Sequence, residues 1–187
     1  MEEEVFISGI ETLEYAPASK VGTVADNAWK RIENITQDSV SFVENNPTKS
    51  SINAEDKDVP VVNFYTPAEG DILNMSVLSQ NPELLQELYN VDYTAATSTF
   101  DFKAKKKIAN LAFRITSRPT NGVITRSTYF NTEVTVANNG NKTKTDVEKK
   151  VLAATLLTYR PAGKTEDYVY RLQYLTPEGD PIDASAP

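Results

Sequence analysis

Residues 110–117 have the sequence NLAFRITS, in which large apolar side chains alternate with small or polar ones. Leu111, Phe113 and Ile115 would lie on one face of an extended chain, because successive side chains of a strand point to opposite faces. The other face would carry small and polar groups, including Arg114. This period of two predicts a half-buried β-strand.

Other segments repeat this alternation, and the turn residues between them predict separate strands. Residues 122–143 fit one or two strands that end at Asn139-Gly140, a strong signal for a tight turn. The predicted strands lie within residues 27–36, 38–44, 60–66, 97–104, 110–117, 122–143, 151–161 and 166–175.

The last two of these segments are predicted to form a hairpin. A helix over residues 146–159 is the alternative for the first of them, because Ala, Leu, Glu and Lys favour helices. Thr155, Thr158 and Tyr159 suit a sheet, so we expect a strand from Val151 onward.

A single segment, SQNPELLQELYNV at residues 79–91, predicts a helix. Asn81 can cap it, and Pro82 suits the first helical position. The apolar stripe consists of Leu84, Leu85, Leu88 and Tyr89. Many strands and one central helix predict a mainly β chain, a β-sandwich or barrel with the helix packed across it.

The chain has 187 residues, which suits a single domain spanning residues 1–187 with one hydrophobic core. Trp29, the only tryptophan, is expected in that core. No apolar run is long enough for a membrane span, and the acidic start MEEEVF does not resemble a secretory signal. We therefore expect synthesis in the cytosol and no membrane insertion.

The chain contains no Cys and no His. It therefore lacks thiolate nucleophiles, Cys-based zinc sites, the Ser-His-Asp triad and the usual general base at neutral pH. Its glycines are too far apart for a phosphate-binding loop. We predict no catalytic, cofactor-binding or metal-binding residues. A hydrolase that uses a carboxylate pair such as Glu55 and Asp58 is an alternative.

Charge is unevenly distributed along the chain, although the net charge is −7. Residues 1–100 carry 17 acidic and 5 basic side chains, a net charge of −12. Residues 101–187 carry 9 acidic and 14 basic side chains, a net charge of +5. Complementary halves of this kind can attract each other between copies of one protein, and a chance distribution on a solvated surface is the alternative.

Residues 44–58, ENNPTKSSINAEDKD, form a long polar connection, which we call the arm, and Ile52 is its only large apolar residue. Connections of this length are usually functional or disordered. A polar segment without a core of its own can become ordered on a partner. The candidate subunit-interface residues in the arm are Asn46, Pro47, Thr48, Lys49, Ile52, Glu55, Asp56 and Asp58.

Four lysines follow Phe102 within six residues: Lys103, Lys105, Lys106 and Lys107. Two interpretations are open for them, a solvated strand end or a charged contact with an acidic surface of a neighbouring copy. Local contact with DNA is a third, because basic residues next to aromatic ones can bind nucleic acid. The overall acidity of the chain opposes binding to a phosphate backbone.

The order of these segments resembles that of the bacteriophage tail tube, or major tail, proteins. The Trp-containing segment AWKRIENIT, the segment DSVSF and the polar arm are similar to the start of that family's sequence. The segments NPELLQELYNV, NGVITRSTYFNTEVTV and TKTDVEKKVLAATLLTY resemble its helix and later strands. The resemblance extends from about Ile10 to Tyr174 and rests on order and spacing, without an invariant motif. The paired lysines of TDVEKK and the short tail after Leu175 depart from the pattern.

The resemblance implies a structural subunit without enzymatic activity. Copies of the subunit would form hexameric rings that stack into a tube for DNA delivery, with the arm lying on a neighbouring ring. The fold of the type VI secretion tube protein is similar. Implied partners are further copies of the chain, tape measure, tail terminator and baseplate proteins, and double-stranded DNA in transit. The implied location is the tail of the virion, assembled in the cytoplasm of the bacterial host.

Three alternatives to a tail tube subunit are open at this point. Another ring-forming tail or neck protein, such as a terminator, and a secretion tube protein belong to the same structural class. A ligand-binding β-barrel belongs to a different class and would have a large apolar cavity.

Overall fold

A computed structural model describes residues 9–52, 55, 59, 61–66, 68–78, 81–139 and 148–182. In these residues, twelve strands and one α-helix confirm the predicted mainly β fold with a single helix. A short 3₁₀ turn covers Asp26–Ala28. The elements are β1 (Ile10–Pro17), β2 (Lys30–Ile32), β3 (Ser41–Val43), β4 (Thr48–Ile52), β5 (Val62–Thr66), β6 (Ile72–Val77), α1 (Pro82–Leu88), β7 (Val91–Thr94), β8 (Thr99–Phe102), β9 (Ala109–Ser117), β10 (Ile124–Asn139), β11 (Lys149–Leu156) and β12 (Arg171–Leu175).

The main sheet has the strand order β2-β1-β9-β10-β11-β6-β3, and all pairs in it are antiparallel. Strand β10 is continuous over 16 residues, so residues 122–143 supply one strand rather than two. One edge of β10 pairs with β9. The opposite edge pairs first with β12 and then with β11.

The predicted hairpin between the last two segments is formed only next to its loop, where Tyr159 and Tyr168 make an antiparallel bridge, and in the described part of the chain strands β11 and β12 do not pair with each other. Strand β11 lies between β10 and β6, whereas β12 pairs with the other half of β10. The edge of β10 is long enough to hold both strands end to end, because β12 pairs with residues 124–128 and β11 with residues 132–139. The strand prediction for β11 is correct, and the helix over residues 146–159 is not formed in the described residues.

The sheet curls until the chain beyond β2 meets β6. Residues Ile35 and Val77 form a bridge, and the Thr36 amide donates to the Ser76 carbonyl at 2.8 Å. The Leu78 amide donates to the Asn34 carbonyl at 2.9 Å. The inner face of the curled sheet holds the core, whose buried side chains come from both ends of the sheet. Examples are Leu13, Phe113, Leu73 and Leu152.

Helix α1 closes one side of this core. The side chain of Asn81 accepts a hydrogen bond from the Glu83 amide at 2.8 Å, and Pro82 opens the helix, as the sequence predicts. Leu84 and Leu88 belong to the core cluster. An exposed ion pair of 2.9 Å joins Glu83 to Lys30 of β2. The helix is thus held mainly by its apolar stripe, because exposed ion pairs contribute little.

The expected core position of Trp29 is wrong. Its side chain is half-buried, and it lies outside the core cluster. The guanidinium of Arg114 lies 4.5 Å from the centre of the indole ring. Arg114 points away from Phe113 and the core, so Trp29 covers the polar face of the sheet. A cation–π contact of this kind satisfies an aromatic side chain without burying it in the interior.

Candidate self-assembly interface

Strands β4 and β5 form a hairpin in which all ten residues are exposed. The two strands pair with each other in antiparallel register and, in the described chain, with no other strand. The described part of the arm therefore contains a strand in the single chain, and the hairpin extends past the predicted boundary at residue 58 as far as Thr66. A two-stranded hairpin that packs on nothing is marginally stable in water, so a partner surface would stabilise it.

The register gives the hairpin one apolar face and one polar face. Ile52 lies opposite Val62, and Ser50 lies opposite Phe64, so these side chains share one face. On the other face Ser51 lies opposite Asn63 and donates to its side chain at 2.8 Å. We call the surface formed by Ile52, Val62 and Phe64 the apolar hairpin face. Its three large side chains are 42–55% exposed, which is unusual for a surface without a partner.

The root of the hairpin is fixed to the main sheet. The amide of Asn45 donates to the Asp71 carboxylate at 2.9 Å, just before β6 begins. The Asn45 side-chain amide donates to the Gly70 carbonyl, also at 2.9 Å. A side chain at Gly70 would lie 2.7 Å from the Leu156 carbonyl, so the chain passes close to β11 at this point. The hairpin is consequently attached at its base and free along its length.

The structure places most of the predicted arm residues on this hairpin or its root. Asn46, Pro47, Thr48, Lys49 and Ile52 are exposed, and so is Glu55 at the turn. Asp56 and Asp58 lie outside the described residues. The prediction did not include β5, although Val62, Phe64 and Tyr65 supply more exposed apolar surface than the arm itself. The alternation of residues 60–66 predicts a strand, but it does not show that the strand pairs with the arm.

The four predicted lysines surround a cleft of about 450 Å³, which we call the lysine cleft. The end of α1, the end of β8, the following loop and the middle of β10 form its walls. Its apolar lining consists of Leu88, Tyr89, Phe102, Ile108 and Val136. Phe102 and Ile108 are 57% and 60% exposed. The Tyr89 hydroxyl donates to Asn138 at 2.8 Å, and burial raises the pKa of this phenol.

Two of the four lysines already have acidic partners within the chain. Lys103 contacts Asp92 at 2.8 Å, and Lys107 lies 3.9 Å from Glu87. Lys105 and Lys106 form no ion pair with the described residues. The lysine cleft therefore combines exposed apolar surface with two uncompensated positive charges.

The structure also brings together three arginines that the sequence analysis did not connect. Arg114, Arg126 and Arg171 line a cavity of about 240 Å³ on the polar face of the sheet. Arg114 donates to both oxygens of Glu14, at 2.7 and 3.1 Å. Arg171 lies 4.8 Å from the centre of the Phe130 ring. These two arginines are therefore satisfied within the chain.

Arg126 is the exception among the three. Its Nε is buried and has no hydrogen-bond partner in the described structure. Burial lowers the pKa of Arg126, and the positive charge of Arg114 lowers it further. An unsatisfied buried donor is destabilising. The Nε–H group of Arg126 is therefore available in this cavity to donate a hydrogen bond to an acceptor from outside the chain.

Two exposed tyrosines lie immediately before β12 and within it. Tyr170 and Tyr174 are 44% and 47% exposed. The ring of Tyr170 lies 5.8 Å from Phe42 and 5.7 Å from Tyr129, so it covers the margin of the core.

The alternatives that require chemistry gain no support from the described residues. Glu55 is exposed at the turn of the hairpin, and Asp58, the other member of the candidate carboxylate pair, lies outside the described residues. The described part of the chain holds no group of three or more acidic side chains placed to bind a metal ion. It also holds no helix long and apolar enough to cross a membrane.

The comparisons with known proteins do not assign a family. The sequence matches no protein-family model, and no curated protein matches it significantly.

Proposed function

We propose that this chain is a structural subunit of a phage tail tube, which assembles with copies of itself into stacked hexameric rings. The observation that supports self-assembly is the exposed hairpin, since the three side chains of its apolar face are 42–55% exposed and its strands pair with no other strand among the described residues. An extended element of this kind gives main-chain hydrogen bonds and apolar contacts to a neighbour. The assignment to a tail tube rests on the resemblance of the segment order.

The same proposal gives the chain its partners and place. Rings of this subunit would form the conduit for double-stranded DNA in the virion tail, in contact with tape measure, terminator and baseplate proteins. The net charge of −7 suits such a conduit, because an acidic surface repels the phosphate backbone and lets it slide. The tube would assemble in the cytoplasm of the bacterial host.

Electron microscopy of a hairpin-replacement variant tests this proposal. In the variant, a short Gly-Ser linker replaces residues 46–66. We expect the unmodified chain to form rings and tubes, and the variant to remain a folded monomer. A matched control replaces residues 95–98, the turn between β7 and β8, with Gly and Ser, and we expect it to form tubes. Tubes formed by the hairpin variant would contradict the role of the hairpin.

Microscopy also separates the related structural functions. A terminator or neck protein would form single rings that do not stack, whereas a tube subunit would form polymers of variable length. A ligand-binding β-barrel would remain monomeric at every concentration, which would contradict the whole proposal.

A further inference from the structure

We infer that the lysine cleft of one copy is the docking site for the apolar hairpin face of a second copy. This inference rests on the proposed function and names the two surfaces that meet in the assembly. The partner is thus a second copy of this chain, and its contribution is an apolar strand pair with an acidic turn.

The two surfaces have the same apolar character, and each has large side chains that are about half exposed in the described part of the chain. The hairpin presents Ile52, Val62 and Phe64, and the cleft presents Phe102 and Ile108 above a floor that includes Leu88. At about 450 Å³, the cleft has room for aliphatic and aromatic side chains from one face of a hairpin. If the two surfaces form one contact, both exposed apolar patches are removed from water at the same time.

The charges at the edges of the two surfaces are complementary. Lys105 and Lys106 form no ion pair with the described residues, and both lie at the rim of the cleft. Glu55 is exposed at the turn of the hairpin. In the sequence, residues 55–58 carry three acidic side chains and one basic side chain, a net charge of −2. A hairpin laid in the cleft with its turn toward the loop would bring these opposite charges together.

Another acidic and apolar segment occurs in the sequence, MEEEVFI at residues 1–7. We favour the hairpin as the occupant, because its strands are already paired and lose less conformational freedom on docking. A chain that lacks residues 1–8 separates the two occupants, and we expect it to retain the contact described below.

Cysteine cross-linking tests the contact directly, because the chain has no cysteine of its own. One protein carries Ile52→Cys and a second carries Ile108→Cys. The two are mixed, allowed to assemble and then oxidised. We expect a disulfide-linked dimer of the two proteins, since a disulfide forms when the Cβ atoms come within about 3.5–4.5 Å. The matched control pairs Ile52→Cys with Val21→Cys, which is similarly exposed at 54%, and we expect no link.

The outcomes of cross-linking distinguish this inference from the proposed function. Tubes without the Ile52–Ile108 link, or with equal linking to Val21, would overturn the docking site and leave tube formation intact. Loss of the link when residues 1–8 are removed would identify the amino-terminal segment as the occupant and also overturn the inference. Failure of the unmodified chain to assemble would overturn both proposals.

A charge-reversal cycle tests the electrostatic part. The double variant Lys105→Glu/Lys106→Glu should raise the critical concentration for assembly at least tenfold. Adding Glu55→Lys to the same chain should lower the critical concentration again, part of the way to that of the unmodified chain. The control Lys20→Glu/Lys164→Glu makes the same change in net charge at two other exposed lysines. An equal effect of the control, or no restoration by Glu55→Lys, would overturn the predicted pairing.

Discussion

Two asparagines on the apolar hairpin face should weaken assembly without weakening the fold. In the variant Ile52→Asn/Phe64→Asn, each strand of the hairpin loses one large apolar side chain. Complete burial of such a side chain stabilises by about 1.5–3 kcal/mol. Ile52 is 55% exposed and Phe64 is 53% exposed, so each side chain can still gain about half of this burial free energy when the subunits assemble.

The two substitutions together therefore remove about 1.5–3 kcal/mol from each contact between subunits. Because about 1.4 kcal/mol corresponds to a tenfold change in an equilibrium constant, the critical concentration should rise about 10- to 140-fold. Sedimentation of polymer over a range of total protein concentrations measures this value. The thermal unfolding midpoint of the monomer should not change, since neither side chain lies in the core.

The matched control places two asparagines on the opposite face of the same hairpin, as Ser51→Asn/Tyr65→Asn. It introduces the same two asparagines into the same two strands and leaves Ile52, Val62 and Phe64 in place. We expect its critical concentration to remain close to that of the unmodified chain. An equal rise in both variants would refute a contact through the apolar hairpin face, and so would no rise in either.

Three further predictions concern the fold and the charge distribution. Leu152→Ala should lower the free energy of unfolding by about 2–5 kcal/mol in denaturant titrations, whereas Leu172→Ala, at a position 40% exposed, should lower it by less than about 1 kcal/mol. Gly22→Ala should destabilise by about 1–3 kcal/mol more than Gly163→Ala. Both glycines have positive φ, but only at Gly22 would the new Cβ lie 2.5 Å from the Tyr159 ring, and thermal unfolding compares them. Raising the ionic strength from about 0.15 to 1 M shortens the Debye length from about 8 to 3 Å, so assembly measured by light scattering should become slower. An unchanged rate would exclude attraction between the acidic and basic halves of the sequence.

Elements whose signals are local could be predicted from the sequence. Helix α1 has its cap, its proline and its apolar stripe within nine residues, and the structure forms it where these signals place it. Strands β9 and β10 have long runs of alternating side chains, and both are formed. In these segments the local pattern and the tertiary environment favour the same structure.

Strands β1 and β6 were not predicted, although both lie in the core. In β1, Leu13 and Tyr15 are buried, but Glu11 and Thr12 precede them and Glu14 lies between them, which weakens the apolar signal. In β6, Leu73 and Met75 are buried, and Asn74 interrupts them. The pairing of β1 with β9 and of β6 with β11 outweighs these weak propensities, and such pairing depends on distant parts of the chain.

The candidate interface shows the same limit. Arg114 and Arg171 lie 57 positions apart, and they become neighbours only because both pair with Thr128 of β10. The lysine cleft combines a helix end, a loop and the middle of β10 in the same way. The charges of these residues could be read from the sequence. Their proximity in space could not, because it depends on the register in which distant strands pair.

The continuity of β10 has a mechanical consequence. A single strand of 16 residues holds β12 along one half and β11 along the other. Tension applied to either half passes through covalent backbone rather than through a loop. Separating β12 from β11 therefore requires breaking one of the ladders on β10, and the two regions cannot shear past each other by bending a flexible joint.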